Sequence, residues 1–472
     1  MTNEKAELVA IGGGPGGYAA AFRAADLGKS VTIVDPEPLL GGACLLRGCI
    51  PSKALITAAE LAESIRGAGA IGIEAGPVTV HMDRLSQWRQ NIINQIGKGL
   101  GELAKRRNVR WIRGRARFAD PHRLAIAGED SAETLLEFDH AIVATGARPS
   151  FPSGLEPDRQ LILSSDEALE LNLVPQSLLV IGGGYIGLEL GTCFRLLGST
   201  VTVVEMTGGL LPGTDPELVR PVGRKLESRG VRVLLDSRVL SLKRIHDRME
   251  VTIQPRSGPL VAELFDRVLV CVGRGPNTDG LDLAAAGVAI DARGFITCDD
   301  QGRTNRPEIY SVGDCSGGPL LAHKARRDGI VAAEAICGRA ARRDQKTVPA
   351  VIFSDPEIAY CGLSEPEAIA ASREIKIGRF PFAALGRAVT QRAADGMVKL
   401  IADRTTEQVL GVGIVGPSAS ELIAEATLAV ELGAKVEDLM HTIHAHPTLA
   451  EALPEAAELV RGASIHIFKK AR

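Results

Sequence analysis

The sequence is poor in aromatic residues and has no strong excess of either charge. Aromatic side chains make up 4% of the 472 residues, and the net charge at pH 7 is −3. Because there is no broad basic field, we expect neither a nucleic-acid partner nor an anionic membrane surface. The chain has no apolar run long enough to cross a bilayer. Its first residues lack both the apolar core of a signal peptide and the Arg-rich pattern of a transit sequence. These absences predict a cytoplasmic protein.

Cysteine is also scarce, and this excludes the disulfide-rich scaffolds of small secreted proteins. The chain has eight cysteines, most of them isolated within apolar segments. Only Cys44 and Cys49 lie close together in the sequence. No second Cys/His pair follows at a spacing suited to zinc, so we predict no metal site. A redox pair and a buried structural pair remain as alternatives.

Glycine, by contrast, is abundant, and much of it lies in an internal repeat. The segment LVAIGGGPGGYAAAFRAADLGKSVTIVD begins at Leu8, and LLVIGGGYIGLELGTCFRLLGSTVTVVE begins at Leu178, 170 residues later. Each segment has the pattern of a buried strand, a glycine-rich turn, a helix and a second strand that ends in a carboxylate. A single such turn would be weak support for a nucleotide site. Two in register predict two Rossmann-like dinucleotide-binding folds.

Each of the three repeated glycines has a different steric role. The first permits a tight turn, the second lets a pyrophosphate approach the backbone, and the third lets the helix lie against the strand. The pairs in that order are Gly12 and Gly182, Gly14 and Gly184, and Gly17 and Gly187. The free amides at the helix N-terminus would bind the phosphates. Asp35 and Glu205, at the ends of the second strands, are placed to accept hydrogen bonds from ribose hydroxyls.

The cysteine pair follows the first repeat in the segment GGACLLRGCIPSK, residues 41–53. Pro51 suits the first turn of a helix, where its missing N–H is not needed. Cys49 would then lie near the helix start, where the helix dipole favours a thiolate. A redox-active disulfide next to a dinucleotide site is therefore favoured over a structural pair.

This segment resembles the active site of the pyridine nucleotide–disulfide oxidoreductases, whose dihydrolipoamide-oxidising members usually read GGTCLNVGCIPSK. The resemblance extends along nearly the whole chain. Its further motifs are ATGARP (144–149), VGRGPN (272–277), SVGDC (311–315), LAHKA (321–325), FSDPEIAYCGL (353–363) and HAHPTLAE (444–451).

The resemblance implies an α/β protein that binds FAD and NAD in two Rossmann-like domains and has a C-terminal α+β dimerisation domain. We expect an FAD-binding domain at 1–149 and an NAD-binding domain at 150–276. A return segment at 277–347 would complete the FAD domain, and an interface domain would occupy 348–472. The family's catalytic base comes from the partner subunit, so a homodimer is expected.

Each family role falls on a matching residue. The resemblance implies that Cys44 is the interchange thiol, which exchanges with substrate, and that Cys49 is the thiol next to the flavin. His446 would be the base and Glu451 the carboxylate that orients it, while His444 is either a packing or a hydrogen-bonding residue. The remaining roles are Lys53 near flavin N5, Glu189 as its partner at the nicotinamide side, Asp314 as the ligand of the ribityl chain, and Gly146 and Gly273 among the cofactor-binding residues.

Within the family, the pattern favours oxidation of dihydrolipoamide by NAD⁺. The last cysteine is Cys361, so the C-terminal cysteine pair of mercuric reductases is missing, and no Arg or Lys lies between Glu205 and Arg220. A carboxylate at position 205 should repel the 2′-phosphate of NADP. The expected partners are lipoyl-bearing subunits or proteins of 2-oxo acid dehydrogenase or glycine cleavage systems. The alternatives are an NAD(P)H-dependent reductase of another small disulfide and a non-catalytic FAD-binding subunit of a complex.

Several residues depart from the usual family pattern. Three lie around the cysteines, where Ala43, Leu46 and Arg47 replace Thr, Asn and Val, and two are Asp-for-Glu changes at Asp35 and Asp328. Arg47 is the most informative, because a guanidinium between the cysteines has two possible roles. It either points toward the sulfurs and stabilises thiolates, or it pairs with an acidic residue and holds the loop.

Overall fold

The computed structural model describes residues 4–128 and 133–467. Within them the chain forms two compact units. The first comprises the described parts of 1–152, 164–173 and 272–344, and the second those of 153–163, 174–271 and 345–472. The four-domain division expected from the sequence stays a prediction. In the part of the chain described, no helix is both long enough and apolar enough to pass through a bilayer.

The described residues contain α-helices in every part of the chain. They are α1 (Pro15–Asp26), α2 (Gly42–Arg47), α3 (Cys49–Arg66), α4 (Met82–Arg106), α5 (Ser165–Glu170), α6 (Tyr185–Leu197), α7 (Pro216–Ser228), α8 (Ala322–Ile336), α9 (Glu365–Ala370), α10 (Gly386–Thr390), α11 (Ala419–Leu432), α12 (Val436–His441) and α13 (Ala452–Arg461). Short 3₁₀ turns lie at Ala68–Ile71, Gly313–Ser316 and Phe382–Ala384.

The strands lie between residues 4 and 416, several of them in succession without a helix between them. They are β1 (Glu4–Ile11), β2 (Val31–Asp35), β3 (Arg110–Arg113), β4 (Arg115–Asp120), β5 (Arg123–Ala127), β6 (Glu133–Val143), β7 (Ala147–Pro149), β8 (Ile162–Leu163), β9 (Ser177–Ile181), β10 (Thr200–Val204), β11 (Arg232–Leu234), β12 (Arg238–Ile245), β13 (Arg248–Gln254), β14 (Val261–Phe265), β15 (Arg267–Val270), β16 (Arg274–Pro276), β17 (Ile309–Ser311), β18 (Ala350–Ile352), β19 (Glu357–Gly362), β20 (Ile375–Pro381), β21 (Met397–Asp403) and β22 (Val409–Gly416).

The first unit is built on a twisted sheet with a parallel core. Strands β3, β2, β1 and β6 lie side by side in parallel, β17 pairs with the end of β6, and β5 and β4 extend the sheet in antiparallel fashion. Leu8 and Ala10 pack in the apolar cluster on one face of β1, and Val9 and Ile11 pack in the cluster on the other. Both faces are therefore covered, which is why β1 reads as a continuous apolar run.

The second unit contains a smaller parallel sheet of the same kind. Its order is β11–β10–β9–β15–β8, and β12, β13 and β14 form a separate antiparallel sheet. The C-terminal part of this unit is an antiparallel sheet in the order β18–β19–β22–β21–β20, on which α11 and α13 pack. The expected α/β class, with two Rossmann-like folds and a C-terminal α+β part, is confirmed.

Candidate active site

The glycine turn after β1 has a geometry that only glycine tolerates. Gly12 has φ +107°, and its N–H donates to the Val34 carbonyl at 2.8 Å. A Cβ on Gly17 would lie 1.8 Å from the Gly12 carbonyl oxygen, so α1 packs directly against the turn. Gly14 is the N-cap of α1, where the first helical amides are free to bind an anion.

The turn after β9 repeats this geometry closely. Gly182 has φ +106° and donates to the Val204 carbonyl at 2.8 Å, and a Cβ on Gly187 would lie 2.3 Å from the Gly182 carbonyl oxygen. Gly184 is the N-cap of α6, and a Cβ built there would meet only open space. Both turns thus offer helix N-terminal amides that suit the pyrophosphate of a dinucleotide.

The carboxylates at the ends of β2 and β10 support these turns. Asp35 accepts from the Gly13 amide at 2.5 Å, and Glu205 accepts from the Gly183 amide at 2.6 Å. The second oxygen of Asp35 accepts from the Glu37 amide, 2.8 Å away. Burial raises the pKa of Asp35, and the bonds from Gly13 and Glu37 oppose that rise. A carboxylate has about four acceptor sites, so each can also accept from a ribose hydroxyl.

The segment that follows Glu205 contacts Asp236, a residue that the sequence pattern missed. Glu205 also accepts from the Thr207 amide at 2.7 Å, and Asp236 donates its amide to the Thr207 carbonyl at 3.0 Å. The Asp236 carboxylate reaches to 3.4 Å from a Cβ built on Gly208. Arg256 pairs with Asp236 at 3.0 Å. Asp236 lies 31 residues beyond Glu205, outside the fingerprint, so only the pairing of β10 with β11 brings it close.

The two cysteines lie on consecutive helices as a dithiol. Cys44 is half-buried within α2, and Cys49 is the first residue of α3. A hydrogen bond to Cys49 raises the pKa of Cys44 far above its usual range, burial adds to this, and the charge of Lys53 opposes it. We therefore expect Cys44 to keep its proton and Cys49, at the helix start, to be the thiolate of the reduced pair. Pro51 lies in the first turn of α3, as predicted.

Asp314 lies in the 3₁₀ turn after β17 with an unsatisfied carboxylate. Burial raises its pKa, and the positive charges of Arg274 and Lys324 oppose the rise. Within residues 4–128 and 133–467 its side chain makes no hydrogen bond or ion pair. Hydroxyl donors of a ribityl chain would satisfy such a carboxylate, so the site fits FAD.

A buried carboxylate holds the turn that carries Asp314. Asp328, fully buried on α8, accepts from Lys324 at 2.8 Å and from the Gly313 amide at 3.3 Å. Arg343 lies 3.0 Å from its other oxygen. The sequence marked Asp328 only as a departure from Glu. The spacing of Lys324 and Asp328, four residues apart on one helix face, was the available signal.

The motifs containing Gly146 and Gly273 meet in a two-stranded ribbon. Strand β16 pairs antiparallel with β7, and Gly146 and Gly273 accept from the amides of Asn277 and Ser150 at 2.9 and 3.0 Å. Both glycines have positive φ, +71° and +137°. The structure thus brings together two motifs that lie more than 100 residues apart, and their contact with FAD stays a prediction.

Glu189 is buried on α6 in the second unit. It accepts from the Phe353 amide at 2.9 Å, and its side chain is 4% exposed. This bond fixes one oxygen of the carboxylate. Its role at the nicotinamide stays a prediction.

His446 and Glu451 form the pair that the sequence predicted. His446 Nδ1 lies 2.8 Å from the Glu451 carboxylate, whose other oxygen accepts from the Thr448 amide at 2.8 Å. Burial favours a higher pKa for Glu451, but the bonds from Thr448 and His446 outweigh it and the pKa is lowered. With Nδ1–H donating to the carboxylate, Nε2 is left as the proton acceptor on a ring that is 79% exposed.

His444, by contrast, is a hydrogen-bonding residue with no free ring nitrogen. Its Nε2 lies 2.8 Å from Glu425 on α11, and its Nδ1 lies 2.9 Å from the Thr442 carbonyl. The side chain is 8% exposed. Of the two roles left open by the sequence, packing or hydrogen bonding, the structure shows hydrogen bonding. His444 thereby holds the 442–448 loop to α11.

Arg47 pairs with acidic residues. Its guanidinium lies 2.7 Å from Glu37 and 3.5 Å from Asp166. Of the two roles that the sequence allowed, this geometry matches the arginine that holds the loop.

Residues 6–329 match the pyridine nucleotide-disulphide oxidoreductase family, and residues 348–457 match the dimerisation domain of that family. The chain belongs to the pyridine nucleotide-disulphide oxidoreductases. Members that resemble it use FAD and NAD, and the two glycine turns with their carboxylates fit both groups. The redox pair, the cofactors and the flavoprotein oxidoreductase class predicted from the sequence are confirmed.

Known relatives are similar over nearly their full length. The dihydrolipoyl dehydrogenase of Haloferax volcanii is 45% identical over 471 residues, which cover 98% of each chain. The dihydrolipoyl dehydrogenase of Vibrio cholerae is 42% identical and covers 97% of this chain and 96% of its own. The crystal structure of LpdA from Mycobacterium tuberculosis has a TM-score of 0.89 and 29% identity, covering 96% of this chain and 99% of its own.

Proposed function

We propose that the chain is an FAD-dependent dihydrolipoamide:NAD oxidoreductase. It would reoxidise dihydrolipoyl groups carried by 2-oxo acid dehydrogenase or glycine cleavage systems in the cytoplasm. The observation that carries the proposal is the Cys44–Cys49 pair, seated beside the first glycine turn, in a chain that is 45% identical to a dihydrolipoyl dehydrogenase. Small disulfides other than lipoamide are tested as the alternative.

The substrate step is a thiol–disulfide exchange. His446 Nε2 takes a proton from dihydrolipoamide, and the resulting thiolate attacks the sulfur of Cys44 in the oxidised pair. The Cys44–Cys49 bond breaks, and Cys49 leaves as a thiolate. The sulfur of the second substrate thiol then attacks the substrate sulfur of the mixed disulfide and gives its proton to the departing Cys44, which releases lipoamide and leaves the first proton on His446. The raised pKa of Cys44 agrees with this last step, since Cys44 holds the proton of the reduced pair.

The reduced pair must then pass its two electrons onward. FAD, when bound, supplies two-electron transfer between the thiols and NAD⁺. Asp35 and Asp314 would bind its ribose and its ribityl chain, and Lys53 would lie near N5. Glu205 would bind the ribose of NAD, and Glu189 would lie at its nicotinamide.

The proposed catalytic base belongs to the other subunit of a homodimer. The match of residues 348–457 to a dimerisation domain supports this arrangement. The exposure of the His446 ring also supports it, because an imidazole that serves a second copy must project from its own chain.

A substrate panel tests the proposal directly. The purified protein with FAD and NADH is given lipoamide, glutathione disulfide and oxidised coenzyme A at equal concentrations. We expect lipoamide to be reduced with a kcat/KM at least tenfold above the others. Faster reduction of another disulfide would favour the alternative reductase. Absence of turnover with all three would favour a non-catalytic FAD-binding subunit.

A further inference from the structure

We propose that Arg47 is a positioning residue that couples retention of FAD to the placement of the cysteine pair. The proposal rests on the proposed function for its lipoamide assay, but its central measurement, release of FAD, is independent of the substrate. All residues that carry it lie in the first unit.

Helix α2, which carries Cys44, is anchored at its start to the first glycine turn. Gly41 donates to the Gly13 carbonyl at 2.8 Å. Gly42 lies so close to Gly14 that a Cβ on Gly42 would be 2.6 Å from the Gly14 Cα atom. The start of the helix therefore contacts the same turn that would receive the pyrophosphate.

The end of α2 is anchored to the ribose side of the same site. Arg47, its last residue, lies 2.7 Å from the Glu37 carboxylate. The Glu37 amide donates to Asp35 at 2.8 Å, and Asp35 in turn accepts from the Gly13 amide. A continuous chain of polar contacts thus leads from the residue between the two cysteines to the carboxylate proposed to bind the FAD ribose.

A second contact ties Arg47 to α5. Asp166, in the first turn of α5, lies 3.5 Å from the guanidinium, and a capping box formed by Ser164 and Glu167 stabilises that helix start. Burial raises the pKa of Asp166, and the charge of Arg47 opposes it. One guanidinium therefore bridges two partly buried carboxylates on separate segments, a geometry that a lysine reproduces poorly and a valine not at all.

Arg47 links two segments of the first unit that flank the proposed FAD site. Without Arg47, the loop after β2 and the end of α2 lose their shared contact. FAD should then dissociate faster, and the cysteines should be less well held against it. Direct NADH oxidation by the flavin, which bypasses the cysteines, should be preserved when FAD is saturating.

The test compares release of FAD from Arg47→Val and from the parent protein, followed by the rise in free-FAD fluorescence after dilution. The family usually has valine here, so the variant should fold. We expect release about threefold to tenfold faster in Arg47→Val, in line with a partly shielded ion pair. Arg47→Lys should show a smaller acceleration. At saturating FAD, lipoamide reduction should fall more than NADH–ferricyanide reduction.

The chain offers a matched control and a coupling test. Arg117 also bridges two carboxylates, Glu133 at 2.8 Å and Asp282 at 3.5 Å, but it lies on β4, outside the glycine turn. Arg117→Val should release FAD at the parental rate. Glu37→Gln should accelerate release, and adding Arg47→Val to it should accelerate release little further. Unchanged release from Arg47→Val, or equal acceleration by Arg117→Val, would overturn the proposal. Loss of lipoamide turnover in the parent would reject the proposed function alone.

Discussion

The chemistry of the two cysteines differs at the scale of single atoms. Their hydrogen bond and the burial of Cys44 raise the pKa of that thiol, so it keeps its proton in the reduced pair. Cys49 begins α3, where the positive end of the helix dipole favours a thiolate. We therefore expect the reduced pair to hold its proton on Cys44 and its negative charge on Cys49.

This asymmetry predicts opposite spectra for the two serine variants. In Cys44→Ser the disulfide cannot form, so Cys49 should be a thiolate and a long-wavelength charge-transfer band with FAD should be present without prior reduction. Cys49→Ser should lack the band in every state. Absorbance spectra of both variants with bound FAD provide the measurement. A band in Cys49→Ser but not in Cys44→Ser would reverse the assignment.

Preference for NAD over NADP is predicted from the Glu205 carboxylate. Glu205 would repel the 2′-phosphate of NADP, so kcat/KM should be higher with NAD. In Glu205→Ala the ratio of kcat/KM with NAD to kcat/KM with NADP should fall roughly tenfold. NAD itself should also bind less well, because Glu205 holds the Gly183 amide.

Steady-state kinetics with both nucleotides check this prediction. Glu263→Ala is the control, since Glu263 is a carboxylate of the same unit engaged in a surface pair with Arg232. The ratio of kcat/KM with NAD to kcat/KM with NADP should be the same in Glu263→Ala as in the parent. An equal or higher kcat/KM for NADP in the parent would show that Glu205 does not select the nucleotide.

At the scale of secondary-structure elements, a buried lysine joins a helix of the parallel-sheet region to the C-terminal sheet. Lys399 on β21 is 1% exposed, and its Nζ lies 2.7 Å from Asp215, the N-cap of α7. Glu217 on α7 and Glu365 on α9 each lie 2.5 Å from the same nitrogen. The three carboxylates could surround a metal ion, but the ammonium already occupies their centre.

Removing this ammonium should destabilise the second unit strongly. Lys399→Met removes the buried cation from three carboxylates, of which Glu217 and Glu365 keep Arg379 as a partner, and we expect a loss of about 3 kcal/mol in the free energy of unfolding. Lys376→Met is the control, because Lys376 forms a half-exposed pair with Glu407 and should cost less than about 1 kcal/mol. Urea denaturation followed by circular dichroism measures both. If both variants lose the same free energy of unfolding, the buried network stabilises the protein no more than the half-exposed Lys376–Glu407 pair does.

The contribution of the Lys399 network to the stability of the protein should depend on pH. Burial lowers the pKa of Lys399, but bonds to its three carboxylates outweigh this and raise it above its ordinary 10.5. Its contribution is therefore complete below pH 10.5 and is lost as pH rises through the folded value. For Glu217, bonds from Lys399 and Arg379 outweigh burial and lower the pKa below 4.5, so its contribution is lost on acidification. The difference in free energy of unfolding between the parent and Lys399→Met should be greatest at a pH where Glu217 is ionised and Lys399 is still protonated.

At the scale of the whole molecule, the C-terminal region leaves large apolar side chains uncovered. Leu432, Ile443 and Ile465 are 72%, 97% and 82% exposed, and Ile443 lies three residues before His446. Exposed apolar surface of this kind is typical of a contact with another protein. A second copy of the chain, as the dimerisation domain implies, would cover it.

A site shared between subunits predicts complementation between inactive variants. Cys44→Ser and His446→Gln homodimers should each be nearly inactive toward lipoamide. Refolded together, they should regain roughly a quarter of wild-type activity, since half of the dimers are mixed and one of their two sites is intact. Mixing Cys44→Ser with Cys49→Ser is the control and should recover nothing. Mixed dimers that form but stay inactive would rule out the shared site.

Much of this protein was determined by sequence alone, because its decisive signals are local. Gly12 and Gly17 are required by a turn that spans six residues, and the pattern of strand, turn and helix is a matter of short-range sterics and periodicity. The members of the cysteine pair and of the His446–Glu451 pair lie five positions apart in the sequence, so their proximity could also be predicted from it. Resemblance to a family then supplied the order of the domains.

Only the tertiary structure decided which distant side chains meet. The partners of Arg47, the bonds that hold Asp328, and the ring of carboxylates around Lys399 join residues from separate segments, up to 184 positions apart. No local pattern predicts such contacts, because they depend on how strands are ordered in the sheet and how helices pack on it. The sequence was enough to identify the chemical groups of the site. The charged residues that orient and stabilise those groups were known only once the tertiary packing was known.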